Sequence, residues 1–89
     1  MLQAVYQNQF KKDLKLAIKR GKDISRLKVV IAKIVNEDSL LPKNREHKLT
    51  GNYKDHWECH IESDWLLIYK VLSTEAIFIR TGSHSDLFN

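Results

Sequence analysis

The spacing of apolar residues over the first third of the chain predicts a short strand followed by two helices. Residues 2–6 alternate between apolar and polar side chains, as the two faces of a strand require. From the cap residue Asn8 onward, apolar residues recur every three or four positions, and this helix ends at a left-handed Gly21. A second cap at Asp23 begins the same spacing again, which continues to Asn36. Two helices joined by so few residues predict an antiparallel helical hairpin.

The remaining two thirds of the chain lose the helical period and predict three strands. Pro42 lies in a loop that leaves the second helix, and no clear period is found up to the turn that follows. Strand-like runs then occupy 54–62, 65–72 and 75–81, and the short breaks between them favour an antiparallel meander. The middle run is apolar on both faces and is expected at the centre of the sheet. The prediction is one α+β domain over residues 1–89, with an N-terminal strand and a helical hairpin packed on an antiparallel sheet.

Alternation along the strands predicts which side chains face away from the helices. In the first run Trp57 and Cys59 share the face expected to pack on the helical hairpin, so His60 points to the opposite, open side. In the third run Phe78 and Arg80 share a face, which we expect to be the open one. His60 and Arg80 are therefore predicted to meet on the open side of the sheet, an alternation that a β-bulge would invert.

Charge is distributed unevenly along a chain whose formal net charge is +4. The first 35 residues hold nine basic and two acidic side chains, whereas the remaining residues hold six basic and nine acidic ones. A basic region of this kind favours a polyanionic partner such as nucleic acid. The same lysines would also fit a solvated helix face that has no partner, and charge alone does not separate the two interpretations.

Three features indicate a cytoplasmic protein with no membrane association. The apolar runs fall short of the roughly 18 residues that a membrane-spanning helix needs. The first residues alternate like a strand and lack the basic start and apolar block of a signal peptide. Cys59 is the only cysteine, so no internal disulfide can form, and a reducing compartment is the simplest interpretation.

The four histidines raise the question of a metal site, which their spacing does not support. His56 and His60 are four residues apart, a spacing that suits a zinc pair on a helix, but they fall within a strand-like run. Cys59 has no second cysteine with which to form a zinc-finger pattern. We therefore predict neither a metal nor another cofactor.

Acid–base chemistry without a metal fits these residues better. Cleavage of RNA by its own 2′-hydroxyl needs a base for that hydroxyl, an acid for the departing 5′-oxygen and a cation for the charge on the phosphoryl oxygens. Histidine suits either proton role near neutral pH, and the planar guanidinium of arginine suits phosphate. Spacing alone leaves open that the histidines are ordinary surface or hydrogen-bonded residues. The candidates are His47, His60 and His84 for proton transfer, Arg80 for charge and Asp64 to orient a histidine.

Three separated motifs, found in a fixed order, add to the interpretation of these residues. They read His47-x-Leu-x-Gly-x-Tyr, His60-Ile-Glu-x-Asp-Trp-Leu-Leu-Ile-Tyr-Lys and Arg80-Thr-Gly-Ser-His-Ser-x-Leu-Phe. With these motifs the chain resembles the YafQ family of toxins, which belongs to the RelE/ParE superfamily of type II toxin–antitoxin systems. The resemblance runs nearly from end to end and includes the early Phe-Lys-Lys-Asp-Leu-Lys segment of the first helix.

The resemblance implies a RelE-like fold and a ribosome-dependent, metal-independent endoribonuclease that cuts messenger RNA in the decoding site. Matching positions carry the family's catalytic set onto this chain. Of this set, we predict that His84 acts as the general acid and that Arg80 binds the phosphate. His60 and Asp64 are placed on the side of the base, and His47 positions substrate or shares a proton role.

Three further residues are predicted to bind substrate: Trp65, Phe88 and Lys54. Trp65 and Phe88 match aromatic residues at the family's active site, although packing in the core would explain either one equally well.

Trp57 stands where the family commonly has arginine, which removes one phosphate contact. Asp55 stands where glycine is usual and adds negative charge, for which Lys54 or the basic helices would compensate. These departures leave the reaction class unchanged but bear on codon preference and rate.

The resemblance also implies a set of partners. A cognate antitoxin with an acidic toxin-binding part would hold the protein inactive, and the complex would bind operator DNA through the antitoxin. Basic helix residues between Lys11 and Lys33 would contact ribosomal RNA in a salt-dependent manner.

There are two rival hypotheses: a non-catalytic toxin of the same superfamily that acts by binding, as some do on gyrase, and a plain RNA-binding module. The retained histidines and Arg80 argue against the first hypothesis. Alanine substitution would separate the second from an enzyme, because a binding module should lose affinity gradually whereas an enzyme should lose turnover sharply.

Overall fold

The computed structural model describes residues 1–88, which form a five-stranded sheet, a helical hairpin on one face of it and a short C-terminal helix. Short 3₁₀ turns at Pro42–Asn44 and Gly51–Tyr53 interrupt the loops before the long strands. In chain order the elements are β1 (Gln3–Tyr6), α1 (Asn8–Lys19), α2 (Ile24–Val35), β2 (His47–Lys48), β3 (Trp57–Glu62), β4 (Trp65–Val71), β5 (Glu75–Gly82) and α3 (His84–Phe88).

The strands lie side by side in the order β1-β5-β4-β3-β2, so the apolar β4 is central, as predicted. Strands β2 to β5 pair antiparallel along the meander, whereas β1 pairs with β5 in parallel. A parallel pair needs a long crossover, and here the helical hairpin and the meander together supply it. The predicted α+β architecture is confirmed, with one parallel pairing in its sheet. Because β2 and α3 are too short to leave a periodic pattern, the sequence did not predict them.

The ends of the two helices follow from local sequence. α1 stops where Gly21 adopts a left-handed φ of 79°, a conformation that glycine reaches at little cost. Asp23 caps α2 as predicted, since its carboxylate accepts a hydrogen bond from the N–H of Ser25 at 3.1 Å. α1 differs: its cap is Gln7, and the predicted cap Asn8 is the first helical residue. Among residues 1–88, no helix combines the length and apolar character needed to cross a membrane.

The main core lies between the helical hairpin and the sheet, and a smaller core lies on the opposite face. Leu66 and Ile68 of β4 are fully buried on that opposite face, where Leu87 of α3 covers them. β4 is therefore buried on both sides, which explains its unbroken apolar run. The main core contains Phe10, Leu27, Val30, Ile34, Cys59, Trp65, Leu67, Tyr69 and Phe78.

A β-bulge in β5 changes the alternation on which the open-face prediction depended. Tyr69 pairs with Phe78, but its neighbour Ile68 pairs with Arg80, so β5 has one extra residue at this point. Residues that pair directly across antiparallel strands point to the same face. Phe78 therefore faces the helices, while Arg80 lies with Ile68 on the open side. The prediction that Phe78 and Arg80 share a face is wrong, although Arg80 does lie on the same side as His60.

Candidate active site

Four strands bring chemically active side chains into one row across the open face of the sheet. His47 of β2 pairs with Glu58 of β3. Glu58 also pairs with Ile68 of β4, which in turn pairs with Arg80 of β5. His60 lies two residues further along β3 and so points to the same face. Strand pairing, rather than proximity in sequence, therefore assembles these groups.

Glu58 is a buried acid between two histidines, a role that the sequence did not predict. Only 4% of this residue is exposed, and its Oε1 lies 3.3 Å from Nε2 of His47 and 3.9 Å from Nε2 of His60. The Nδ1 atoms of the two rings lie 2.8 Å from the carbonyl oxygen of Arg45 and 3.3 Å from that of Ser63, respectively. A carbonyl oxygen can only accept, so each Nδ1 carries a proton. This leaves Nε2 of each ring on the side of Glu58, where it is the nitrogen available for a further proton.

His84, like His47, is exposed, and Asp64 fixes its ring. Oδ1 of Asp64 accepts hydrogen bonds from the backbone N–H of His84 at 3.0 Å and from its Nδ1 at 2.9 Å. The backbone N–H of His84, followed by its ring, lowers the pKa of Asp64 below its usual range. The ring of His84 lies 6.0 Å from that of His60 and 6.2 Å from that of Phe88. Asp64 thus orients His84, and not His60, with which the sequence prediction had grouped it.

Asp13 of α1 holds Arg80 from the uncovered edge of β5. β1 pairs only with the first four residues of β5, and Asp13 occupies the edge beyond them. Its carboxylate accepts hydrogen bonds from Nε of Arg80 at 2.7 Å, from Nη2 at 3.2 Å and from the N–H of Thr81 at 3.1 Å. The bond to Asp13, ahead of a smaller effect of the Tyr53 hydroxyl, raises the pKa of Arg80. Asp13 lies 67 residues before Arg80, so no local signal in the sequence indicated it.

Arg20 and Asp86 anchor α3, which carries His84, to the end of α1. The two guanidinium Nη atoms of Arg20 donate to the carboxylate of Asp86 at 2.7 and 3.3 Å, and the N–H of Ser83 donates to it at 2.9 Å. The bond from Arg20 is the foremost cause of a pKa of Asp86 far below its usual range. Gly82 permits this approach, because a Cβ at that position would lie 2.9 Å from Cβ of Asp86.

Two aromatic residues border the histidines on the open face. Phe88 is 48% exposed, and its ring lies 6.0 Å from that of Tyr53 in an edge-to-face arrangement. Its neighbour Leu87 points into the smaller core instead. Of the two alternatives for Phe88, this exposure favours a position at the site over packing in the core. Tyr53, which the sequence did not single out, lies close enough to Arg80 to affect its pKa.

Trp65 shows the opposite behaviour and packs in the main core. It is 1% exposed, and its Nε1 donates to Oγ1 of Thr81 at 3.0 Å on the helix side of the sheet. The ammonium of Lys22 lies 5.8 Å from the centroid of the Trp65 ring. A ring enclosed in this way has no free face on which a base could stack. The structure therefore does not support the predicted substrate-binding role of Trp65.

Lys54, the remaining predicted residue, lies on the surface in the loop before β3. It follows the turn Gly51–Tyr53, and its carbonyl oxygen lies 3.0 Å from Nδ1 of His56. The next residue, Asp55, has a φ of 69°, a left-handed conformation that suits the glycine usual in the family. The compensation of the Asp55 charge by Lys54 stays a prediction.

The single cysteine offers neither a nucleophile nor a metal ligand. Cys59 is fully buried, and burial, followed by the carboxylates of Glu46 and Glu58, raises the pKa of its thiol to about 12. The thiol is therefore neutral at physiological pH, whereas nucleophiles and ligands are thiolates. Within residues 1–88, no three His, Cys, Asp or Glu side chains are arranged to hold a metal ion. The absence of a metal from the reaction stays a prediction.

A helical hairpin on one face of a five-stranded sheet, with histidines, acids and an arginine on the other face, defines a RelE-like toxin. Residues 2–89 match the family model described as "Bacterial toxin of type II toxin-antitoxin system, YafQ". The match covers nearly the whole chain. The chain therefore belongs to the YafQ family of toxins of type II toxin–antitoxin systems.

Three similar proteins illustrate the relationship. The "mRNA interferase toxin YafQ" of Escherichia coli (strain K12) is 42% identical over 84 residues, which cover 93% of this chain and 91% of that protein. A chain of the E. coli DinJ-YafQ toxin–antitoxin complex superposes with a TM-score of 0.92 at 38% identity, covering 99% of this chain and 98% of that one. A metal-bound toxin from Helicobacter pylori superposes with a TM-score of 0.93 at 39% identity, covering 99% and 100%, respectively.

Proposed function

We propose that this chain is an mRNA interferase, an endoribonuclease that cuts messenger RNA in the decoding site of the ribosome by acid–base catalysis without a metal. The observation that carries this proposal is the exposed His84, oriented by Asp64 and facing the ring of His60 across 6.0 Å. The two rings therefore border the same open surface, from which both can reach a phosphoryl group bound beside them. The name of the E. coli relative, "mRNA interferase toxin YafQ", supports the same activity.

His84 acts as the general acid. Because its Nδ1 donates to Asp64, Nε2 is the nitrogen left to give a proton to the departing 5′-oxygen. The carboxylate of Asp64 on Nδ1 holds the ring in place for the transfer. The exposed ring of Phe88, 6.2 Å away, offers an apolar surface on which a neighbouring base stacks.

The general base comes from the group formed by Glu58, His47 and His60. Oε1 of Glu58 lies 3.3 Å from Nε2 of His47 and 3.9 Å from Nε2 of His60, so the carboxylate is close to the nitrogen through which either ring would take up a proton. His60 is the member nearest to His84 and takes the proton of the 2′-hydroxyl. The proton then passes to solvent and His84 regains one from solvent, which restores both groups for the next turnover.

Arg80 stabilises the charge that builds on the phosphoryl oxygens. A guanidinium has five N–H donors, of which Asp13 takes two, so three remain for the phosphate. The bonds to Asp13 also fix the guanidinium before substrate arrives, so that little reorganisation is needed in the transition state.

The proposed function requires partners, and the shape of the site indicates the first of them. It is an open surface that does not enclose an RNA strand, so the ribosome supplies the alignment that the protein lacks. Basic residues between Lys11 and Lys33 contact ribosomal RNA, and this binding weakens with salt. A cognate antitoxin restrains the toxin in the cytoplasm, as DinJ accompanies YafQ in the E. coli complex, and carries the pair to operator DNA.

The direct test is cleavage of a defined message on programmed ribosomes, with the cut ends mapped by primer extension. We expect the wild-type chain to cut in the decoding site and His84→Ala to lose about 10²- to 10⁴-fold in rate, the range for one general acid. His56→Ala is the matched control, because this histidine lies outside the proposed catalytic groups. Toxin that has been treated with a chelator and desalted should cut at the wild-type rate.

Three outcomes would contradict the proposal. Ribosome binding without cutting by the wild-type chain would identify a toxin that acts by binding. Equal cutting by wild type and His84→Ala would remove the assigned general acid. Loss of cutting after chelation, with recovery on addition of a metal, would show that the chemistry needs a metal.

A further inference from the structure

A cavity of about 380 Å³ adjoins His60. It lies between α2, the loop that follows Pro42 and the end of β3, and of its lining residues the catalytic proposal uses only His60. Three cationic side chains line it, Arg26, Lys43 and Arg45, together with one acid, Glu62. His60 is thus shared between this cavity and the proposed reaction centre.

The positive charge of the cavity is only partly neutralised. Glu62 is engaged by Nη1 of Arg26 at 3.0 Å and by the ammonium of Lys22 at 3.6 Å, both on the helical hairpin. Within the part of the chain that the structure describes, no carboxylate lies within 4.0 Å of Lys43 or Arg45. Two cations therefore face the cavity without an internal partner, which favours an anion from outside.

The loop that carries these two cations is fixed to the catalytic strand. Asn44, between them, is 6% exposed, and its side-chain amide donates to the carbonyl oxygen of His60 at 2.9 Å. Its Oδ1 accepts from the N–H of Leu41 at 3.1 Å, which closes the turn. Arg45 adopts a left-handed φ of 47°, and its carbonyl oxygen lies 2.8 Å from Nδ1 of His47. The positions of the cations are therefore set by the same residues that hold the two histidines.

We propose that Lys43 and Arg45 form a second phosphate subsite, which binds a backbone phosphate of the RNA strand next to the scissile one. This inference rests on the proposed function and extends it by naming where the strand continues. RNA fits better than an acidic protein segment, because the cavity is continuous with the proposed base His60. Contacts of this kind position a strand without reading its sequence.

The test measures binding of a fluorescein-labelled RNA hexanucleotide whose 2′-hydroxyls are methylated, so that it cannot be cleaved. Lys43→Gln and Arg45→Gln are each expected to weaken binding at low salt by about fivefold, the upper end for an exposed ion pair. Each should also reduce the slope of log K against log salt by about 0.7, the value for one phosphate of a single strand. Lys70→Gln, which removes one charge at the far end of β4, is the matched control.

The same variants are then assayed for cleavage on programmed ribosomes, where a raised KM with an unchanged kcat is expected. RNA binding that equals the wild type in both Lys43→Gln and Arg45→Gln would overturn the subsite. Unchanged RNA binding together with weaker binding of the antitoxin would assign the two cations to the antitoxin instead. If the wild type does not cut but loses RNA affinity with these substitutions, the catalytic proposal fails and the subsite stands.

Discussion

On the face that packs against the helices, the sheet buries apolar residues such as Leu67 and Phe78, whereas on the open face it buries Glu58 between two histidines. The first face is stabilised by removal of apolar surface from water. The second holds polar groups that are costly to bury unless they are hydrogen-bonded and share charge. Stability should therefore depend mainly on one face and the proposed chemistry on the other, so substitutions should separate the two.

The largest effect is expected on the open face, from Glu58→Gln. Glutamine keeps the shape of the side chain but removes the negative charge beside Nε2 of His47 and His60, so kcat should fall by about 10²- to 10⁴-fold. Cleavage on programmed ribosomes measures the rate, and thermal unfolding should show a folded protein. Glu37→Gln, an exposed acid beyond α2, is the control. Full activity of Glu58→Gln would assign Glu58 to structure alone.

The helix face is tested by Phe10→Ala. Phe10 is 1% exposed and packs against Phe78, with ring centroids 6.1 Å apart, so its removal leaves a cavity in the main core. We expect a loss of about 3–5 kcal/mol in the free energy of unfolding, measured with urea. Protein that remains folded should retain its kcat, because no reacting group is changed. A lower kcat in the folded fraction would show that the two faces are not separable.

An intermediate effect is expected for Asp13→Asn, because Asp13 connects the two faces. Asparagine keeps the size but loses the charge and one of the two acceptor oxygens that hold Arg80. We expect kcat to fall about tenfold with little change in KM, together with a loss of about 1–3 kcal/mol in stability. In an Arg80→Lys background the same change should have little further effect on kcat. Additive losses in kcat would indicate that Asp13 does not act through Arg80.

The smallest effect concerns the acid stability of the contact between α1 and α3. Arg20 depresses the pKa of Asp86 in the folded state, so the ion pair stabilises the fold above the unfolded pKa of about 3.9. This stabilisation is lost as the pH falls from there towards the folded pKa. Urea unfolding between about pH 6 and 2 should show a shallower acid-induced loss for Asp86→Asn than for wild type. Asp38→Asn, an exposed loop acid, is the control, and equal profiles for the wild type and Asp86→Asn would contradict the assignment.

Local signals predicted most of the scaffold. The helical period, the cap at Asp23 and the left-handed stop at Gly21 depend only on neighbouring residues, and the structure has each of them. The apolar run of β4 predicted a central strand for the same reason. The caps and the period are expressed within a few residues of where they act, so they can be read from the chain without knowledge of the fold.

The candidate site was predictable in part. The three motifs named His47, His60, Asp64, Arg80 and His84, and their roles remain to be tested. Alternation along the strand gives Glu58 the same face as His60, but only strand pairing shows that it lies between two histidines. Arg80 was predicted to lie on the open face because simple alternation gave it the same face as Phe78. The bulge removes that alternation, so the predicted face of Arg80 is correct although Phe78 lies on the other face.

By itself, the sequence determined the two long helices, the three long strands of the meander and most of the reactive side chains, because those follow from local spacing and residue type. Only the tertiary structure decided that Asp13 holds Arg80, that Asp64 orients His84 rather than His60, and that Trp65 is enclosed in the core. Each of these contacts joins residues on different elements. Their partners are chosen by strand register and helix packing, which depend on the free energy of the whole fold and leave no mark on neighbouring positions.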